Sequence, residues 1–159
     1  MNENEQLITR FYTAFASKDY KGMQACYADN IEFSDNAFPG LKGNEAKAMW
    51  HMLTAASADM VLTFSNIKAN EITGSADWVA TYTFSLTGRK VINRIHADFE
   101  FKDGKITRHT DTFDFWKWAS PAFGIKGRLL GWTPFFRNKI QGVTRGRLQA
   151  FINKHPEYQ

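Results

Sequence analysis

Cysteine is almost missing from this 159-residue chain. Cys26 stands alone, so no internal disulfide framework can hold the fold, and the lone thiol fits a reducing compartment. Long apolar runs are missing as well, and none approaches the roughly 20 residues of a membrane span. The opening MNENEQLITR is polar and acidic and lacks the apolar centre of a signal peptide. These absences predict a soluble, cytoplasmic protein. The chain also has no Gly-rich phosphate loop, no GxSxG elbow, no HExxH and no paired cysteines. No redox or nucleotide cofactor is implied, and no metal is expected, although His109, Asp111 and Asp35 could supply three ligands on paper.

Acidic residues run out in the last quarter of the chain. Residues 1–115 carry 12 Lys/Arg against 15 Asp/Glu, whereas residues 116–159 carry 8 against Glu157 alone. The basic character therefore belongs to the tail, and a whole-protein nucleic-acid footprint is not indicated. What the chain does have is rings: 14 Phe, and 15% aromatics in all, favour a wide, ring-lined interior. One domain of this length buries a proper core.

Leu7, Ile8, Phe11, Tyr12 and Phe15 recur at helical spacing and predict a helix over 3–17. Asp19 caps a shorter helix through Cys26 and Tyr27, Ile31–Asp35 is a short extended piece, and Asn44 reads as the cap of a third helix. The period then shifts toward two. Residues 60–67, 78–86, 91–101 and 105–116 read as strands, the last three forming an antiparallel meander through turns at Thr87-Gly88-Arg89 and Asp103-Gly104. Helices followed by long strands predict an α+β fold, with helices on one face of a curved sheet. Residues 117–133 read as irregular, ahead of a final amphipathic helix carrying Ile140, Val143, Leu148, Phe151 and Ile152. Gly142 and Gly146 share a face of that helix, which would permit close packing against another element.

The run from Asp103 to Trp116 carries the chemistry. After a tight Asp-Gly turn, side chains two apart share a strand face, so His109, Asp111 and Phe113 project together. A carboxylate and an imidazole beside rings on an inner face cost folding energy unless paired or useful. His96 falls in phase with Arg94, Asp98 and Glu100, the outer face.

The element order, together with Phe11-Tyr12-Thr13-Ala14-Phe15, Tyr27-Ala28-Asp29-Asn30, Gly40-Leu41-Lys42-Gly43 and Asp103-Gly104-Lys105-Ile106 ahead of Asp111, resembles the NTF2-like superfamily over residues 5–118. The resemblance is to its SnoaL-like and ketosteroid-isomerase-like branch. It implies a cone-shaped α+β domain, a strongly curved antiparallel sheet wrapped by N-terminal helices. Residues 1–118 would form that domain, and 119–159 a C-terminal helical extension packed on it. Ketosteroid isomerases place a general-base Asp eight residues after the Tyr of a Tyr-Ala-Asp segment, and that spacing from Tyr27 gives Asp35. Their oxyanion-hole Tyr and Asp match Phe11 and Ala97. Limonene-epoxide hydrolases are similar at Thr87-Gly88-Arg89 and Asp111-Thr112-Phe113-Asp114; their last catalytic Asp matches Asp111, but their Arg and its partner Asp match Trp78 and Ala80. SnoaL-type cyclases use an Asp as general acid/base in an otherwise apolar pocket, the description this sequence fits best.

The resemblance thus implies a cavity lined by Phe11, Phe15, Phe33, Trp50, Trp78, Tyr82, Phe84, Ile95, Phe99, Phe113 and Trp118, with Asp111, Asp35 and His109 as catalytic candidates. Asp35 capping the turn before Gly40, and Asp111 accepting a bond from Tyr or His, are the structural alternatives. The expected activity is that of a cofactor-free isomerase, cyclase or dehydratase on a small hydrophobic carbonyl or cyclic molecule. The alternative is a ligand-binding protein of the same fold without turnover. The expected assembly is a homodimer through the outer sheet face. The basic tail, with Trp132, Phe135 and Phe136 beside Arg137 and Lys139, has three readings: contact with an anionic membrane surface, contact with nucleic acid, or a helical segment closing the pocket mouth or wrapping a partner subunit. The last is favoured, because the basic residues form no continuous run.

Overall fold

The computed structural model describes residues 1–159. Helix α1 (Glu3–Ala16) opens on a capping box: Asn2 accepts from the Glu5 amide while the Glu5 carboxylate accepts from that of Asn2. Its apolar stripe, Leu7, Ile8, Phe11, Tyr12 and Phe15, is wholly buried, each residue contributing roughly 1.5–3 kcal/mol by leaving water. Helix α2 (Tyr20–Ala25) is capped by Asp19, as the sequence predicts, but it stops before Cys26. Tyr27 instead begins strand β1 (Tyr27–Ser34). A two-residue strand β2 (Leu41–Lys42), too short to show periodicity, precedes α3 (Asn44–Ala56); Gly43 is the cap and Asn44 the first helical residue.

Strands β4 (Thr73–Phe84), β5 (Arg89–Lys102) and β6 (Lys105–Thr112) form the predicted meander, and β3 (Val61–Ala69) extends it by pairing antiparallel with β4. Asp103 (φ 52°) and Gly104 (φ 73°) both adopt the left-handed conformation that a type I′ turn requires. The sheet order is β2-β1-β6-β5-β4-β3, curved and unclosed. Register shifts in β3 after Ser65 and in β5 after Glu100 mark where it bends. All neighbours are antiparallel except β1 and β6, which run parallel. The whole β3–β5 meander lies between those two in sequence, so no hairpin constrains their direction.

Strand β6 ends at Thr112, short of the expected Trp116. Asp114 accepts the Lys117 amide at 3.0 Å and caps helix α4 (Phe115–Phe123). The stretch read as irregular is thus helical: α4 is followed by α5 (Ile125–Leu130) and α6 (Pro134–Asn153), with a single 3₁₀ turn at Pro156–Tyr158. Pro121 lies in the last turn of α4, whose terminal carbonyls are satisfied by the β4–β5 hairpin. Arg89 donates to the Pro121 carbonyl and Thr87 to that of Ala122. Gly142 and Gly146 do not mediate close packing, since a Cβ at either would meet nothing within 4 Å. A boundary at residue 118 would cut α4, which packs directly on β5.

Two apolar clusters result. The larger joins α1, α3 and the inner sheet face; the smaller joins Val91, Phe115, Trp118, Ala119, Ala122, Phe136 and Ile140. Tyr82 and Phe113 touch both. No helix is long and apolar enough to cross a membrane.

Tyr12 Oη is the one fully buried side-chain polar atom without a hydrogen-bond partner. An unsatisfied buried hydroxyl costs about 1–3 kcal/mol. Tyr12→Phe is therefore expected to stabilise the fold by about 1 kcal/mol in urea denaturation. Destabilisation instead would mean that the hydroxyl has a partner in solution.

Candidate active site

The inward phase of β6 holds as the sequence predicts. His109 is fully buried and Asp111 is 3% exposed, with Phe113 beyond them. His96 lies on the outer face, bonded to Asp77 at 2.6 Å. Burial of two polar groups is possible because a chain of hydrogen bonds runs through them. Trp50 donates to Tyr27 Oη at 2.8 Å, Tyr27 Oη and His109 Nδ1 lie 2.7 Å apart, and His109 Nε2 is 2.9 Å from Asp111 Oδ1. Trp78 Nε1 also donates to Asp111 Oδ1, at 3.3 Å.

The directions follow from the donors available. Burial pushes the Tyr27 hydroxyl well above the usual tyrosine range, so it keeps its proton and can donate it to Nδ1. His109 then donates from Nε2 to the carboxylate, the one neutral tautomer that satisfies every member of the chain. Phe99, Phe33, Phe11 and Trp50 box the imidazole, with centroids 4.5, 5.0, 5.4 and 6.0 Å away.

Asp111 Oδ2 has no protein partner, yet it is not among the fully buried unsatisfied atoms. It opens instead on a cavity of about 160 Å³ between the two apolar clusters, where 18 of 26 lining residues are hydrophobic. Asp35 opens on the same cavity. Its Oδ1 accepts the Ala37 and Phe38 amides at 2.7 and 2.6 Å, the turn cap foreseen as its structural role, and Oδ2 is left free. The loop is held from both sides, by Asn36 donating to the Phe113 carbonyl and by Gln141 and Thr144 of α6 donating to Asn36 and Ala37. Burial raises the Asp35 pKa to about 7; the two amides oppose that shift and the charge of Asp111 adds to it.

Of the residues expected to line the cavity, Phe15, Trp50, Trp78, Tyr82, Phe84, Ile95, Phe113 and Trp118 do so. Phe11 and Phe33 do not; they lie one layer back, packed on the His109 ring. Phe99 likewise packs on His109 and not on the lining, and His109 reaches the cavity only through Asp111. Both imidazole nitrogens are committed, so His109, Asp111 and Asp35 do not form a ligand set. The grouping that could hold a metal ion is elsewhere: His51, His155 and Glu157, with donor atoms within 4.8 Å of one another.

Sequence reasoning missed Asn93, Thr144 and Arg147 on the lining. Asn93 was legible, as a polar residue in the inward phase of β5 between Val91 and Ile95. Arg147 and Thr144 were not, since nothing local in a helix says which face will close a distant cavity. Tyr82 was legible as a wall but not as a donor: its oxygen accepts Trp118 Nε1 at 2.9 Å, leaving its own proton free.

A cone of curved sheet and helices enclosing paired carboxyls at its apolar interior defines the class. The chain matches the SnoaL-like domain over residues 8–109, and it belongs to that family, within the NTF2-like fold. None of the curated proteins matches it. Among solved structures it is similar to a protein provisionally named a polyketide cyclase from Xanthomonas campestris (23% identity, 76% of this chain and 96% of that one, TM-score 0.64). It is similar also to an LEH-like epoxide hydrolase of M. tuberculosis (19%, 81% and 91%, TM-score 0.63). A third is an NTF2-like protein of unknown function from Burkholderia pseudomallei (18%, 72% and 92%, TM-score 0.61). At these identities the likenesses carry the fold alone.

Asp35 ties folding to pH. The folded chain holds its proton up to about pH 7, the unfolded chain only to about 3.8, so folding takes up a proton between those values. That contribution is complete below about pH 4 and is lost as pH rises through 7. Wild type should lose stability over this range, and Asp35→Asn, which keeps an oxygen for the two amides, should lose less. The gap should widen by roughly 3 kcal/mol between pH 5 and pH 8. Parallel urea titrations at pH 5 and pH 8 test it; equal slopes for the two proteins would refute it.

Proposed function

We propose that the cavity is a cofactor-free acid–base site acting on a small hydrophobic carbonyl or cyclic molecule by isomerisation, cyclisation or dehydration. The observation that carries this reading is that two carboxyl oxygens, one each from Asp111 and Asp35, are open to a single apolar cavity. Asp111 Oδ2 accepts a proton from the carbon beside the substrate carbonyl, while His109 and Trp78 fix the other oxygen. The Tyr82 hydroxyl donates to the oxygen on which charge develops. Its own oxygen is already engaged by Trp118, so its proton is the part left for the substrate. Asp35, with a pKa of about 7, returns a proton to the product at neutral pH, and exchange with solvent then removes the proton from Asp111 and restores that of Asp35. The apolar walls keep water from competing and strengthen each of these bonds.

The cyclase name of the Xanthomonas neighbour agrees with this reaction class. Epoxide hydrolysis is not favoured, because Trp78 and Ala80 occupy the positions of the Arg and Asp it needs. A binding protein without turnover is the rival, and the mostly hydrophobic lining favours it. A homodimer through the outer sheet face and a cytoplasmic location go with the proposal, the first open to light scattering.

Proton abstraction can be read without knowing the product. Ligands are first found by thermal shift among cyclic ketones, lactones and polyketide-like aromatics, and each is then incubated in D₂O. Wild type should exchange C–H for C–D beside the carbonyl. Asp111→Asn should slow exchange by at least about 100-fold while the thermal shift survives. Ligands that shift both proteins but exchange with neither would leave the binding protein as the correct reading.

A further inference from the structure

The elbow joining α5 to α6 is built inside out. Helix α5 meets α4 through its smallest residues: Gly127 is buried against the Ala119 backbone, where a Cβ would collide with the carbonyl, and Gly131 lies against the Ala119 methyl. With glycine turned inward, the large apolar residues of this stretch have nowhere to go but out. Ile125 is 77% exposed, Trp132 70% and Phe135 74%, and Leu129, Leu130 and Trp116 are exposed beside them. They are not loose ends. Trp132 Nε1 donates to the Leu129 carbonyl at 3.0 Å and Trp116 Nε1 to that of Arg128 at 3.0 Å, which holds both indoles against the elbow. Burying these side chains would be worth more than leaving them in water, and the fold declines to do so.

The charges around them have one sign. Lys126, Arg128, Arg137 and Lys139 are exposed within the same 15 residues, and no Asp or Glu occurs between Asp114 and Glu157. We propose that this elbow is a membrane-surface anchor. Ile125, Leu129, Leu130, Trp132 and Phe135 enter the boundary between headgroups and acyl chains of an anionic bilayer, and the four cations meet its headgroups. Charge selects this occupant over a second copy of the chain, because self-docking through the elbow would press like charges together with no acid in the segment to offset them. The aliphatic half of the patch selects against nucleic acid, whose bases and phosphates offer it nothing to bury against.

The anchor is joined to the cavity by one rigid element. Helix α6 begins at the elbow and lines the cavity with Ile140, Val143, Thr144 and Arg147. From Phe135 to Val143 is about 12 Å along the helix. An apolar ligand dissolved in the bilayer thus has a short route to the cavity. The anchor itself does not depend on what reaction, if any, occurs there.

The test is flotation of the full chain with extruded vesicles of phosphatidylcholine alone or with 30% phosphatidylserine, at about 0.1 and 0.5 M salt. Wild type should float with the anionic vesicles, at least about tenfold more tightly than with neutral ones, and release at high salt. The combined substitution Leu129→Ser, Trp132→Ser and Phe135→Ser alters only exposed residues. It should keep the melting temperature and lose vesicle binding at either salt. Lys126→Glu with Lys139→Glu should lose the preference for anionic vesicles alone. Failure of wild type to float, or equal flotation of wild type and the triple variant, overturns the anchor. So does a concentration-dependent dimer in light scattering that the triple variant abolishes while no vesicles bind, which would make the elbow a self-association face.

Discussion

Burying a carboxylate among aromatic rings is tolerable only if N–H donors stand ready for it, and here they come from both sides of the cone. Asp111 and His109 sit on β6, the strand that pairs with both β1 and β5. Tyr27 reaches His109 from β1, Trp50 reaches Tyr27 from α3, and Trp78 reaches Asp111 from β4. One connected chain of hydrogen bonds therefore ties four elements around the inner face. Each link is made by a ring, so polar satisfaction and aromatic packing are achieved by the same side chains. Breaking any link leaves a buried donor or acceptor unpaired in a medium of low dielectric, where that loss is most costly.

The cavity follows from the same arrangement. The curved sheet and the N-terminal helices pack rings tightly around His109. Helices α4 and α6 bring their own smaller cluster. The two cores meet without fusing, although β5 and α6 contribute to both, and Tyr82 and Phe113 bridge them. The gap that remains is where Asp111 and Asp35 each have a free oxygen. Asp35 reaches it because the amides of Ala37 and Phe38 hold its other oxygen, and α6 in turn holds that loop. The structural and functional readings of Asp35 are thus compatible: the turn that the carboxylate caps is what aims it.

The elements that sequence made legible are those with a strong local signal. Period-two alternation placed His109, Asp111 and Phe113 inward and His96 outward, and Asp-Gly fixed the turn before β6. The capping residue Asp19 located α2, and the helical stripe of α1 was complete. Where the signal was local but ambiguous, the expectation went astray. Phe115 and Trp116 continue an apolar pattern that suits a strand, yet Asp114 had already begun a helix. Pro121, Gly124 and Gly127 look like loop punctuation, but the β4–β5 hairpin supplies donors to the end of α4 and Ala119 supplies a flat surface for Gly127.

By itself the sequence determined the α+β order of elements, the antiparallel meander, the aromatic interior and the inward phase of the carboxylate, because each follows from chain-local stereochemistry and periodicity. Tertiary structure alone decided that β1 lies parallel to β6, that Phe11 and Phe33 back the imidazole instead of lining the cavity, and that Asn93, Thr144 and Arg147 do line it. It alone decided which aromatic residues of the basic tail are packed and which are bare. Those outcomes depend on which surfaces meet across many residues of intervening chain, and helical or strand periodicity carries no information about a partner that far away.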